Sequence, residues 1–259
     1  MRAAIGAAIG PTLRDVIRRP LLILHPKQLS RVFMSHVWVA FAAGTDEGGR
    51  PVKEKLLPEN AAGVVLDIGA GHGHTANYLD RARVSRYIAL EPNVLMHAHI
   101  RASASKAGFV ESDGSLAILS CGAEDAQAIL ARLGGDPHPV DTIVSVLALC
   151  SVPAPERTLT ALVRDVLRPG GTLLFYEHVL SPRADVAWWQ RFWAPVWSVP
   201  FDGCRLDRPS HLFAERMMMT AGNGEQVSMW SHQEVWGKDG EPEENLFWHR
   251  AGKFVKCLV

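Results

Sequence analysis

Residues 65–73 read VLDIGAGHG. An apolar run carrying one carboxylate, Asp67, passes directly into glycines at alternate positions, Gly69, Gly71 and Gly73. The run has the composition of a buried strand. Glycine lets a chain turn sharply and brings its backbone close to a ligand with no Cβ in the way. The dinucleotide fingerprint G-x-G-x-x-G needs its third glycine for helix packing. Counted from Gly69 and Gly71, that glycine would fall at position 74, which is His74; the glycine is Gly73. The spacing therefore speaks against a nicotinamide dinucleotide.

Outward from this turn, short apolar runs alternate with longer amphipathic stretches. GVVLDIG (63–69), SRYIALE (85–91), LAILSC (116–121), DTIVSVLAL (141–149) and TLLFYEHVL (172–180) read as strands. Helical stretches are expected at about 74–82 and 93–107, in EDAQAILARL and in PERTLTALVRDVL, the last stopped by PGG at 169–171. Such alternation predicts an α/β fold with a parallel sheet covered on both faces. Asp207 and Pro209 suit the start of a helix through FAERMMM, and EQVSMWSHQEVW and NLFWHRAGKFVKCLV read as two closing antiparallel strands. Between them and the fifth strand lies a Trp- and Pro-rich lid, about 182–222.

The chain of 259 residues has a formal net charge of +0, which excludes the broad cationic field of a nucleic-acid binder. Cys121, Cys150, Cys204 and Cys257 show no short paired spacing. No metal site and no disulfide framework is expected from them, and a reducing, cytoplasmic setting is the simple reading. Before residue 63, Leu29, Val32, Phe33, Val37 and Phe41 predict a helix over 28–42, and GTDEGGRP (44–51) reads as a loop. Residues 1–50 are thus expected to form a helical cap or peripheral segment, and 51–259 the main domain. Up to residue 43 the charges are Arg2, Arg14, Arg18, Arg19, Lys27 and Arg31 against Asp15. That segment suits either packing over the main domain or contact with an anionic membrane surface; no stretch has the roughly 20 apolar residues of a membrane span.

Further acidic residues follow the strands at useful places. Glu91 ends the second strand, where a carboxylate can accept from ribose hydroxyls. Glu124 and Asp125 follow the third strand in CGAED, where either can meet an adenine amino group or complement a helix dipole. VLDIGAGHG, ALEPN, CGAED and LRPGGTLLFYEH, in this order over residues 63–181, resemble the class I S-adenosylmethionine-dependent methyltransferases. The resemblance implies a Rossmann-like, seven-stranded, mostly parallel sheet with an antiparallel last strand, and S-adenosyl-L-methionine as cofactor. It also implies that Gly69, Gly71 and Gly73 approach the methionine moiety, and that Asp67 orders the turn or faces the amino group. Glu91 would hold the ribose, Pro92 and Asn93 would line the adenine side, Ala123 and Glu124 would mark the adenine edge, and Leu147 would offer backbone near the reactive end. VLALCSV, EHV and WAPVWSVPFDGCRLDR extend a narrower likeness, to about residue 210, with the membrane-associated alkyl-thiol methyltransferases of the methyltransferase-like group. Those relatives carry a hydrophobic N-terminal anchor, from which this sequence departs.

A sulfonium is an activated methyl donor, so the protein must align donor and acceptor, exclude water and let the nucleophile lose its proton. His178 and Asp202 are the candidates for that proton work; Glu177 alternates with His178 and points the other way. Trp188, Trp189, Phe192, Trp193, Trp197 and Phe201 are expected to pack the lid onto the sheet or wall a pocket for a small lipophilic acceptor, a thiol or hydroxyl compound. The competing reading, a cofactor-binding module without turnover, differs from an enzyme in forming no methylated product.

Overall fold

The computed structural model describes residues 2–258; Met1 and Val259, the ends of the expected cap and last strand, lie outside them. Among the described residues the sheet has seven strands. In chain order these are β1 (Gly63–Ile68), β2 (Val84–Leu90), β3 (Leu116–Leu119), β4 (Val140–Val146), β5 (Leu167–His178), then β8 (Trp230–Gly237) and β9 (His249–Lys256). A separate hairpin pairs β6 (Met218–Thr220) with β7 (Gln226–Ser228). The spatial order is β3-β2-β1-β4-β5-β9-β8, with β9 antiparallel to both neighbours and the first five strands parallel. Strand order reverses beside β1, and the crevice at the carboxyl ends of β1 and β4 is where such sheets bind ligands.

Side-chain alternation divides the core. Leu66, Ile68, Leu173 and Phe175 face one layer, built with α4 (Ala126–Arg132), α5 (Pro155–Ala161) and α7 (Ser210–Glu215). Val65, Tyr87, Leu174 and Tyr176 face the other, against Val52 and Leu56 of α2 (Pro26–Leu56), which follows α1 (Arg2–Arg18), and Ile100 and Ala104 of α3 (His97–Lys106). Covering both faces explains the near-continuous apolar strands.

Several local expectations are corrected. The segment 44–51 is helix, not loop: α2 runs unbroken from Pro26 to Leu56, so the expected division at residue 50 falls inside it. Three glycines and a proline cost this helix stability, but tertiary contacts hold it. Buried Lys53 pairs with Asp46 and stands over the Tyr78 ring, while the Tyr78 hydroxyl donates to Asp46 at 3.1 Å. A Cβ on Gly49 would come within 2.9 Å of the Tyr176 ring, so only glycine lets the helix lie this close. The expected helix at 74–82 is a single 3-10 turn, His74–Tyr78, begun by a left-handed Gly73. EQVSMWSHQEVW is divided between β7 and β8, and the helix through FAERMMM stops at Glu215.

The aromatic lid face is also turned outward. In α6 (Ala184–Ser198) the inward residues are Val186, Ala187, Gln190 and Ala194. Buried Gln190 donates to the carbonyls of Val179 and Leu246 and accepts from the Ser181 N–H. This amide fixes the helix's rotation, leaving Trp188 56%, Trp189 47%, Phe192 53% and Trp193 43% exposed. They neither pack on the sheet nor wall the cavity; only Trp197 and Phe201 of the six do.

The packing of α2 makes an opposed pair of predictions. Gly49→Val should destabilise the protein by about 1–3 kcal/mol through overpacking against Tyr176. Gly44→Ala, with open space around its Cβ, should stabilise it by roughly 0.5–1 kcal/mol through helix propensity. Urea unfolding measures both; equal effects at the two glycines would contradict the packing.

Candidate active site

A cavity of about 1120 Å³ opens at the carboxyl ends of β1, β2, β4 and β5. Its floor is the turn after β1. Gly69 and Gly71 line it, both with positive φ, 62° and 54°. The Gly69 and Ala70 N–H groups donate to the Leu90 carbonyl at the end of β2, which curls the turn inward. Glu91 then bridges the two loops: one carboxylate oxygen accepts from the Gly71 N–H at 2.9 Å, the other from the Asn93 N–H at 2.8 Å. Burial pushes its pKa up to about 6, opposed by those two N–H groups.

Other expected cofactor residues divide. Pro92, Asn93, Ala123, Glu124 and Leu147 line the cavity, whereas Asp125 caps α4 by accepting from the Ala128 N–H. Asp67 and Gly73 do not line it: the expected approach of Gly73 to the methionine and the direct contact of Asp67 with the amino group are corrected, while Asp67 keeps its other expected part, holding the turn through Thr75. Asp67 points into the sheet's other layer, where the Tyr87 hydroxyl donates to it at 2.7 Å; burial raises its pKa to about 7. A Cβ on Gly73 would come within 3.0 Å of the Ile100 backbone, so this glycine serves helix packing. His72 stacks on His99 at 3.9 Å, away from the cavity.

The roof comes from α2, which the sequence had not assigned to the site. Ser30, Arg31, Met34, Trp38 and Phe41 all line the cavity. The roof is tied to both rims. Asn93 donates its amide to the Arg31 carbonyl at 3.1 Å, and the Ser30 hydroxyl accepts from the Asp202 N–H at 2.9 Å. Arg31 and Asp202 also form an ion pair at 3.5 Å. Asp202 thus serves the cover: it raises the pKa of nearby Glu91 and, among the described residues, makes no hydrogen bond to His178. Asp202 lines the cavity itself, as does His178, the other candidate for proton work.

At the β4–β5 end, Leu147 adopts a left-handed turn, φ 55°. Buried Glu177 holds that turn by accepting from the Ser145 hydroxyl at 2.7 Å and the N–H groups of Ala148 and Leu149 at 2.9 and 3.1 Å. Arg208 braces the same loop by donating to the Leu149 and Val152 carbonyls, both at 2.6 Å. His178 faces the cavity on the opposite side of β5 from Glu177, as alternation requires. Beside it lie Cys150 and Cys204, and the Cys204 sulfur is 3.5 Å from His178 Nε2. One potential ligand atom from each of the three residues lies within 4.8 Å of the others. No short motif announces this cluster, because its members come from the loop after β4, the end of β5 and the loop after α6.

The lining fits S-adenosyl-L-methionine. The glycine turn leaves room that a Cβ would fill: at Gly71 it would stand 2.9 Å from Trp38 Nε1. That indole N–H is buried without an acceptor, a donor suited to the methionine carboxylate. The Glu91 oxygens keep lone pairs for ribose hydroxyls.

Two raised carboxylates set a pH dependence. The native state keeps protons on Asp67 and Glu91 that the unfolded chain releases near pH 4. Their stabilising contribution is complete below about pH 4 and is lost as pH rises through about 6 and about 7. Urea unfolding between those limits should show falling stability in the parent and a flatter profile in Asp67→Asn; identical profiles would contradict the buried position of Asp67.

Comparison with known proteins agrees with this geometry. The model of the family "Methyltransferase domain" matches residues 46–217. The human thiol S-methyltransferase TMT1B is 47% identical over 70 residues, 27% of this chain and 28% of its own length. Human TMT1A is 46% identical over 81 residues, 30% and 32% of the two chains. The chain therefore spans less than a third of the length of the curated relatives it matches. Among solved structures, the CurJ carbon methyltransferase superposes with a TM-score of 0.52 at 15% identity, over 92% of this chain and 70% of that one. The phosphoethanolamine N-methyltransferase 1 of Haemonchus contortus gives 0.51 at 13%, over 83% and 43%; both share the fold. The chain belongs to the methyltransferase-domain family, as a class I methyltransferase that uses S-adenosyl-L-methionine.

Proposed function

We propose that this enzyme methylates the thiol of a small lipophilic molecule. The observation that carries the reading is the composition of the cavity beyond β4 and β5. Trp197, Phe201 and Phe247 are among its walls, with Cys150, Cys204 and His178 beside them. The rings pack on one another, Trp197 on Phe201 at 4.1 Å and Phe247 against His178 at 5.5 Å. Such a surface favours an apolar acceptor. A thiol, with a pKa of about 8.5, is partly ionised at neutral pH and needs less assistance than a hydroxyl. The partial likeness to thiol S-methyltransferases supports the same acceptor.

In this reading Glu91 binds the ribose, and Pro92, Asn93, Ala123 and Glu124 surround the adenine. Gly69, Gly71 and the Trp38 indole receive the methionine end. Leu147 presents backbone beside the reacting sulfonium, positioned by Glu177. The cofactor supplies a methyl carbon on a sulfonium sulfur. The α2 roof and the Asp202 loop keep water from it, since closure strengthens every charge interaction inside.

A product assay with alkyl thiols, phenols and carboxylic acids tests the proposal. Methyl thioethers should form, with little or no product from the oxygen acceptors. Products from phenols alone would overturn the sulfur assignment, and turnover only of tRNA or histone peptides would overturn the small lipophilic acceptor.

We also propose a peripheral contact with lipid. Among the described residues no helix is long and apolar enough to cross a membrane. Yet Leu13, Ile17, Leu21, Ile23 and Leu24 are exposed beside Arg14, Arg18 and Arg19, a combination suited to an anionic interface. The protein should co-sediment with vesicles containing phosphatidylserine, and the pair Leu21→Asp, Leu24→Asp should reduce this. No association, or association unchanged by the pair, would contradict the contact.

A further inference from the structure

We infer that Cys150, His178 and Cys204 form a three-ligand site for a soft divalent metal ion, with zinc as the reference ion and its fourth position open to the cavity. The three side chains are buried, and each presents one ligand atom within 4.8 Å of the other two. Zinc–sulfur bonds of about 2.3 Å and zinc–nitrogen bonds of about 2.0–2.1 Å set tetrahedral edges of roughly 3.5–3.8 Å. The Cys204 Sγ to His178 Nε2 separation is 3.5 Å, already one such edge. His178 is nine-tenths or more buried, and its Nδ1 has no partner, so no hydrogen bond at that nitrogen commits the ring to one tautomer. Two sulfurs and one imidazole form a donor set that selects zinc over magnesium or calcium. Three protein ligands with an open position are the arrangement of catalytic rather than structural zinc sites.

The ligands are also held from behind. Cys150 sits in the loop that Glu177 and Arg208 secure, and its sulfur is 3.6 Å from the Leu147 carbonyl. Cys204 follows the turn at Asp202 and Gly203, which the Asp202 N–H to Ser30 bond ties to the roof. Binding one ion converts two thiols to thiolates and releases two protons to solvent.

The fourth position is the place for an acceptor sulfur, a part of the inference that rests on the thiol reading above. The acceptor thiol binds as thiolate and gives its proton to solvent. A sulfur lone pair then forms the new S–C bond while the donor's C–S⁺ bond breaks onto the donor sulfur. A neutral thioether, a weaker ligand, leaves. In this arrangement His178 is a ligand and the ion takes over the ionisation that a general base would supply.

Cobalt(II) titration of the reduced full-length protein tests the site without any activity assay. About one equivalent should bind, with sulfur-to-cobalt charge-transfer bands and the intense d–d bands of tetrahedral coordination. Cys204→Ser and His178→Gln should each weaken binding by roughly 100-fold or more, with circular dichroism confirming their fold; Cys257→Ser should not. Absence of stoichiometric binding, or a spectrum indifferent to both substitutions, would overturn the site. Adding 1-hexanethiol should shift the d–d bands by replacing the fourth ligand. A bound ion that ignores the thiol would overturn the acceptor role alone. Methylation of phenols rather than thiols would sink the proposed function yet leave the cobalt result unchanged.

Discussion

The site depends on one buried carboxylate. Glu91 reaches from the end of β2 to the Gly71 N–H of the neighbouring turn and to the Asn93 N–H of its own loop. Removing a charge from water is costly unless it is hydrogen-bonded. Two oriented N–H groups offset part of that cost here and fix the distance between the glycine turn and the loop after β2. A positive φ at Gly69 and Gly71 shapes the turn that brings the Gly71 N–H onto this carboxylate. The floor of the crevice is thus preformed by backbone, with one carboxylate as its clasp.

The rest of the architecture closes over that floor. A single 31-residue helix, α2, is anchored at its C-terminal half by the Tyr78 ring and hydroxyl, which meet Lys53 and Asp46, and by the Gly49–Tyr176 contact. Its N-terminal half lies over the cavity and is tied to Asn93 on one rim and to Asp202 on the other. Anchor and roof belong to one rigid element, so packing on β5 sets the height of the ceiling above Gly71. On the far side, Glu177 performs for the β4 loop what Glu91 performs for the β1 loop. Each is a buried carboxylate at a strand's end that collects N–H groups from an adjacent turn.

Much of this was legible because it is local. Alternating apolar runs and helices specify the parallel sheet, and the glycine spacing in VLDIGAGHG separates the sulfonium nucleoside from a dinucleotide. What escaped the sequence is tertiary. GTDEGGRP has loop composition, yet Asp46 and Gly49 find partners in Tyr78 and Tyr176 that outweigh the helix penalty. The tryptophans of α6 look like a core face until Gln190, a polar residue between them, turns out to be the one buried. Asp67, acidic and next to the glycines, points away from the cavity because strand alternation aims it at Tyr87. Cys150, His178 and Cys204 lie in three separate segments, and spacing rules for metal ligands detect only neighbours in the chain.

The account stands on an adenosyl sulfonium seated between the β1 turn and the α2 roof. A crystal structure with S-adenosyl-L-homocysteine tests this most directly. The ribose hydroxyls should lie within hydrogen-bonding distance of Glu91, the adenine between Asn93 and Ala123, and the carboxylate near Trp38 Nε1. A ligand bound elsewhere, or a ribose with no contact to Glu91, would contradict it.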